Sequence, residues 1–459
     1  MRVADALFRS RMLKGVAVPY FPIAALGSVL LLTTSPVAAQ TSGARTGDPQ
    51  TFALHGQATF VVQGVGGFAS PYSGPNSLTP RQVQETADVT AYLGVAPWQG
   101  AEIWANPEID QGFGLSNTLG AAGFPSAEAY KVGKSAPYFR LQRVFFRQTI
   151  ALGSEREAVV ASSNQLGGAR PIDRLVLTVG KIGVGDVFDT NRYAHDPRAD
   201  FLNWSVVDAG SFDYAADAWG YSTGAALEAY RGPWTIRVGA FNLSRVPNGE
   251  TLERGFGQYQ LDGEVEHRHS FGPRAGSIRL GVFRNRGQFG RFDDALALGA
   301  ASAAPADTAL VRGRRTRVGA YANAEQELTD TLGIFGRLGW SDGGIEPYDF
   351  TDIDRTAQIG AVLAGKGWGR STDRVGLALV VNGISAAHQR YLAAGGIGVL
   401  VGDARLPDAG REQFAELYYD VRLLPGVDAT LDAQHIANPG YNRDRGPANI
   451  AALRLHGAF

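Results

Sequence analysis

Three arginines fall close together in the stretch YFRLQRVFFRQTIAL, as Arg140, Arg143 and Arg147, each with apolar neighbours. Arg237, Arg279, Arg317, Arg337, Arg422 and Arg454 also alternate with apolar residues. Glu264, Glu266, Glu325, Glu416, Asp420, Asp428 and Asp432 supply the opposite charge in similar patterns. On extended chain such alternation gathers donors and acceptors on one face. That chemistry is solvation and hydrogen bonding rather than bond cleavage. Cysteine is absent, which excludes disulfides, thiolate metal sites, a cysteine nucleophile and an acyl anchor on cysteine. The seven histidines are scattered. His267 and His269 form an H-x-H pair, but their parity is the apolar one near a strand end, which suits an interface better than a metal. There is no G-x-S-x-G, H-E-x-x-H or Walker loop, and the glycines of GQATFVVQGVGG lie in the wrong context for a nucleotide. The expectation is a non-enzyme without cofactor or resident metal.

The elements that hold these residues are legible from periodicity. The chain has 459 residues and a net charge of −1, without the basic excess typical of a nucleic-acid binder. Arg2, Arg9, Arg11 and Lys14 precede the apolar run VAVPYFPIAALGSVLLL, and SPVAAQ follows, with small residues Val37 and Ala39. This layout predicts a secretory leader over 1–39, cleaved after Ala39, and Pro19 and Pro22 argue against a retained anchor helix. No later apolar stretch reaches the ~18–20 residues of a spanning helix. Residues 40–51 read as a mobile lead-in and 52–459 as one β domain. In QYQLDGEVEHRHSF, Gln258, Gln260, Asp262, Glu264, Glu266 and Arg268 share one parity, while Tyr259, Leu261, Gly263 and Val265 share the other. WTIRVGAF, GSIRLGVF, AELYYDVRLL and VDATLDAQ alternate similarly. A soluble sandwich would give this pattern too. The connections favour a membrane barrel: short turns (APWQG, YRGPW, FGPRAGS, LLPGVD) alternate with long stretches rich in Gly, Pro, Asp and Asn.

Strands are expected near 52–64, 85–95, 101–106, 138–151, 173–182, 217–230, 233–243, 258–270, 276–286, 314–327, 332–341, 355–366, 373–382, 413–424, 427–436 and 447–459. The fold class is therefore all-β: a transmembrane antiparallel β-barrel of about 16 strands with short periplasmic turns and long extracellular loops. One connection resists this parity, residues 152–172, where a short helix or an extra hairpin is expected. Trp98, Trp234, Trp368 and Phe271 sit beside short turns, as an interfacial girdle requires. In the last strand Leu453, Leu455 and Phe459 take the lipid parity, Arg454 and His456 the lumen parity. Arg140, Arg143 and Arg147 can all turn inward only if a bulge lies near Gln142–Arg143; a lipid-facing arginine at mid-bilayer would cost ~2–4 kcal/mol.

Several stretches resemble the carbohydrate-selective porin family of bacterial outer membranes. They include FALHGQATFVVQG, FASPYSGPNSL, ETADVTAYLGVAPWQGAEIWANPEIDQGFGLSNTLGAAGFPSAEAYKVG, RLVLTVGKIGVGDVFDTNRYAHDPRADFLNWSV, DYAADAWGYSTG and FAELYYDVRLLPGVDATLDAQHIANPGYNRDRGPANIAALRLHGAF. They occur in the family's order across essentially the whole mature chain. The resemblance implies a sixteen-stranded outer-membrane barrel passing small sugars, such as glucose, by passive diffusion. A sugar presents hydroxyls and apolar ring faces, so its path needs donors, acceptors and aromatic surfaces that bind weakly enough to release it. The residues expected to line the pore or touch sugar are Arg140, Arg143, Arg147, Arg237, Arg279, Arg317, Glu416 and Asp420 on the wall. The third long loop adds Asp189, Asn191, Arg192, Asp200, Asn203 and Trp204, if it folds inward to narrow the pore. That loop's DTN and DPR pieces carry oxygens that could hold Ca2+, without the spacing of a known calcium loop. Phe459 matches the terminal aromatic signal presented to barrel-assembly machinery. Lipid, transported sugar and that machinery are the expected partners, and either a monomer or a homo-oligomer fits. The competing readings are a small-solute porin without sugar preference, an outer-membrane barrel enzyme, and a soluble sugar-binding β-protein.

Overall fold

The computed structural model describes residues 49–459, and the expected leader over 1–39 lies outside the described residues. Alternating sequence becomes long strands: β1 (Phe52–Val65), β2 (Gln82–Val95), β3 (Ala101–Gly112), β4 (Lys134–Ala151), β5 (Arg156–Val159), β6 (Gly168–Pro171), β7 (Arg174–Ile182), β8 (Ser222–Arg231) and β9 (Trp234–Asn242). The second half gives β10 (Tyr259–Phe271), β11 (Arg274–Phe289), β12 (Gly313–Glu327), β13 (Leu332–Ser341), β14 (Arg355–Ala364), β15 (Arg374–Gly383), β16 (Glu412–Leu424), β17 (Val427–Ala437) and β18 (Ala448–Ala458). All except β5 and β6 form one closed antiparallel barrel of 16 strands, in which β4 pairs directly with β7 and β18 closes on β1. Closure leaves no sheet edge, so backbone groups are satisfied without water. Three helices lie in the long connections: α1 (Trp204–Val207), α2 (Phe292–Ser302) and α3 (Ala386–Ala393).

The burial pattern is inside-out relative to a protein in water. Leu280, Val282, Leu338, Ile359 and Leu431 are exposed on the outer face, whereas Arg317, Arg337, Glu416 and Arg454 are buried within. Only an apolar surrounding supports that distribution. At the end carrying the short turns, Trp98 packs 5.9 Å from Phe146 and Trp234 lies 4.4 Å from His267. His269 is 5.1 Å from Phe271, so the H-x-H pair belongs to this aromatic belt. Phe459 is exposed, and its ring covers Gly56 so closely that a Cβ there would collide with it.

Most strands lie where expected, and residues 152–172 hold the extra hairpin that is one of the two alternatives expected there. The departures are at strand ends and in the lead-in, with β3 running on to Gly112 past the expected end at 106. The expected strand over 217–230 begins only at Ser222, because Asp217 turns the chain back: its backbone amide donates to Tyr221 carbonyl oxygen at 2.7 Å. Residues 152–172 contain a hairpin, β5–β6, whose strands pair only with each other. Gln50 and Thr51, expected in the mobile lead-in, are tied down instead. Gln50 exchanges backbone and side-chain bonds with Gly167, and the Thr51 carbonyl accepts from Ala96.

The bulge anticipated in β4 is present. Asn106 pairs with Arg143 and Pro107 with Leu141, leaving Gln142 as the extra residue. Pro107 lacks an amide donor and lies beside this break in the ladder. The bulge resets parity, so Arg140 above it and Arg143 and Arg147 below it all reach carboxylates inside the barrel. Deleting Gln142 should force one arm of β4 onto the wrong face. The expected result is a loss of stability of about 2–4 kcal/mol for a lipid-facing arginine, measured by denaturant unfolding in lipid vesicles. Stability equal to the parent would show that the bulge does not set the face.

Candidate functional site

Two long connections fold into the barrel. Residues 183–221, the expected third loop, cross the lumen and bind the wall on many sides. Residues 113–133, an unexpected partner, pack with it: the Ala127 amide donates to the Leu202 carbonyl at 2.7 Å, and Phe124 stacks on Trp204 at 5.3 Å. The signal missed in the sequence is the small, apolar run LGAAGFPSA, unusual for a loop exposed to water.

Most expected loop contacts are turned toward the wall. Asp189 is fully buried and accepts from Arg337 at 2.9 Å and from the Ala209 amide at 2.6 Å. Asn191 bonds Asn323 at 2.8 Å. Asp200 accepts from the amides of His195 and Asp196 at 3.2 Å and faces Arg374 at 3.5 Å. Asn203 caps α1 through Ser205 and donates to the Gly123 carbonyl at 3.0 Å. Trp204 is buried among Phe124, Tyr214 and Phe350. Arg192 differs: its side chain is 53% exposed, with Glu327 3.9 Å away.

The same holds for much of the expected wall set. Arg317 contacts Asp213 at 2.7 Å and Asp354 at 3.1 Å, with no exposed side-chain surface. Arg237 is held by Glu228, Glu264 and Glu266, and Arg279 by Glu266 and Glu325. Glu416 accepts from the loop amides of Leu202 and Asn203, and Asp420 from Thr430. Another tie was missed: Arg198 reaches Asp88, Glu108 and Glu128 at 3.0–3.6 Å. Even-numbered residues of β3, including Glu102, Asn106, Glu108 and Asp110, share one parity and could have revealed this wall. In the DTN and DPR pieces, Asp189 accepts from the Ala209 amide, Asn191 from the Tyr193 amide and Asp196 from the Arg198 amide, and no group of three or more metal-ligating residues occurs among the described residues.

The three β4 arginines keep partial access. Arg140 pairs with Asp217 at 3.2 Å and lies 3.4 Å over Trp219. Arg143 grips Asp186 in a two-pronged pair of 2.6 and 2.7 Å, with Tyr221 beneath it at 4.8 Å. Arg147 pairs with Glu102 at 3.4 Å and lies 5.0 Å from Phe145. Side-chain exposures of 23%, 14% and 27% contrast with 0% for Arg317. Each level therefore offers a guanidinium, a carboxylate and an aromatic ring. Burial pushes the Asp186 carboxyl up, but Arg143 and the Gly183 amide more than offset it and hold it below its ordinary value. Beside the lower half of β4, a half-open cavity of about 1320 Å3 lies between Phe145, Arg147 and Thr149 of this wall, the start of the third loop and the β5–β6 hairpin.

A closed barrel with an apolar outer belt, a charged lumen and inward loops is an outer-membrane diffusion channel. The chain belongs to the carbohydrate-selective porin, OprB family, whose pattern matches residues 76–459. It is thus a sugar porin of the bacterial outer membrane, a channel rather than an enzyme. The fold is similar to Pseudomonas putida OprB at high pH, with 16% identity, TM-score 0.68 and 89% of this chain and 94% of that one covered. The low-pH structure of the same protein gives 12% identity, TM-score 0.49 and coverage of 89% and 93%. The Acinetobacter baumannii channel DcaP gives 11% identity, TM-score 0.46 and coverage of 90% and 100%. No curated protein matches the sequence.

The two groups of arginines should separate by experiment. Arg317→Ala leaves Asp213 and Asp354 buried without their cation, a loss of about 3–5 kcal/mol. Arg143→Ala should retain the fold, because its site is open to water. In that variant burial still raises Asp186 while the larger part of the offset is gone, so its carboxyl protonates at higher pH than in the parent. Single-channel conductance should then change at a higher pH on acidification, whereas in the parent the pair persists until pH falls through the depressed value. Superimposable conductance–pH curves would refute this.

Proposed function

We propose that monosaccharides such as glucose diffuse passively down the β4 wall past Arg140, Arg143 and Arg147. The observation that carries this reading is the succession along one strand of three guanidinium–carboxylate–ring sets in which each arginine keeps partial access. A sugar hydroxyl can donate to a carboxylate or accept from a guanidinium, each guanidinium being held over the buried ring of Trp219, Tyr221 or Phe145. Because each cation has an acid partner, the wall supplies hydrogen bonds without a strong field of one sign. Weak, repeated contacts favour entry and release.

In this proposal residues 1–39 are a leader removed on export, residues 52–459 form the working barrel, and Phe459 engages the assembly machinery. Arg317, Glu416 and the buried loop residues shape the path by fixing the third loop, while Arg237, Arg279 and Asp420 pair with neighbouring wall residues. A small-solute pore without sugar preference is the alternative outcome. Planar-bilayer conductance with graded sugars distinguishes them: monosaccharide should reduce the current, and Arg143→Ala should weaken that block without loss of folding. Current unaffected by any mono- or disaccharide would remove the preference and leave a plain pore.

A further inference from the structure

The hairpin β5–β6 is the largest departure from a simple barrel at the short-turn end. Elsewhere at this end neighbouring strands are joined tightly, as between Arg231 and Trp234 or Leu424 and Val427. Here the chain makes an independent two-stranded sheet and then an ordered tip. The tip is anchored from inside the barrel. Arg147 donates to the Asn164 carbonyl at 2.8 Å, and Arg174 donates to the carbonyls of Pro171 and Ile172 at 3.0 and 2.9 Å. Gln50 clamps Gly167 through its amide and its side chain, and Leu166 is buried. These contacts place the tip beneath the lumen rather than out in the periplasm.

The space is chemically suited to a polyol. Its volume of about 1320 Å3 exceeds the ~300–1,000 Å3 of ordinary ligand pockets, so it accommodates a sugar together with water. Phe145 and Tyr230 supply rings, Tyr230 lying 3.8 Å from the Arg174 guanidinium. Glu102 and Arg147 supply acceptor and donor from the wall. On the hairpin, Asn164 adopts a left-handed backbone with φ 58° and lines this space. Its side-chain Oδ1 is enclosed and has no protein hydrogen-bond partner. An amide oxygen shut off from water without a partner is costly, so Asn164 gains by turning its Oδ1 toward a donor in the cavity that protein atoms do not provide.

We propose that the hairpin forms a second solute-binding site, an exit chamber in which Asn164 accepts from a sugar hydroxyl opposite Glu102 and Arg147. This rests on the sugar path proposed above and adds a periplasmic step to it. Sugar leaving the arginine column is held in the chamber and escapes past the hairpin tip. The chamber thereby makes block unequal in rate from the two sides, because its contacts are reached first from the periplasm.

The absence of native cysteine makes the test direct. Ser163 lines the chamber beside Asn164. In the full-length chain in planar bilayers, Ser163→Cys exposed to a charged methanethiosulfonate should lose conductance when the reagent is added on the periplasmic side. Glucose should slow that loss. In a second variant, Asn164→Ala, block by glucose added to the periplasmic side should weaken, while block from the extracellular side is kept. Folding is verified by heat-dependent gel mobility. Unchanged conductance after labelling, or equal block from both sides in parent and Asn164→Ala, overturns the chamber. Absence of glucose block from either side in the parent overturns the sugar path itself, which separates the two failures.

Discussion

The third loop is held inside the barrel by charge pairs that no water reaches. Asp189 on Arg337 and Asp213 on Arg317 are the central ones, each with both side chains fully buried. Desolvating such ions is costly, and their attraction offsets the cost only when the remaining donors and acceptors are filled. Here they are. Arg337 also donates to the carbonyls of Val206 and Ala194, and Asp189 also accepts from Ala209 and Asn323. Removing one partner strands the other, so the loop cannot leave the lumen piecemeal. The open path is what remains once that loop is fixed.

The geometry of the path follows. Anchors at Glu264, Asn323, Arg337, Glu416 and Arg454 draw the loop toward β10, β12, β13, β16 and β18. Space is left beside β4, where Arg140, Arg143 and Arg147 retain exposure. The same charge chemistry therefore does two jobs. Where both partners are sealed it is structural, and where water reaches them it becomes the surface a solute meets. Residue type does not distinguish these roles; packing on the far side does.

This explains which features the sequence disclosed. Strand positions were legible because lipid and water impose opposite demands on alternate residues, and most barrel strands follow that alternation, with β4 broken by its bulge. The Gln142 bulge was legible because three arginines had to share one face. Partners of the loop were not. Asp189 and Arg337 lie 148 residues apart, and nothing in either local pattern selects the other. Asp and Asn in a loop equally serve turns, caps and wall contacts, so Asn191, Asp200 and Asn203 looked suited to a solute when they serve the fold. The inward course of 113–133 was marked only by its apolar composition.

The Arg143–Asp186 pair shows how a charged wall can favour neutral solutes. The two groups cancel most of each other's field but keep hydrogen-bonding capacity at their edges. An ion approaching this pair gains little, since attraction to one member is opposed by the other. A sugar hydroxyl is both donor and acceptor, so it can join the pair's hydrogen-bond network without separating its charges. The Tyr221 ring, buried beneath Arg143, supports the guanidinium from behind. Pairing thus exchanges electrostatic strength for tolerance of polar, uncharged surface, and repetition at Arg140 and Arg147 carries that tolerance down the wall.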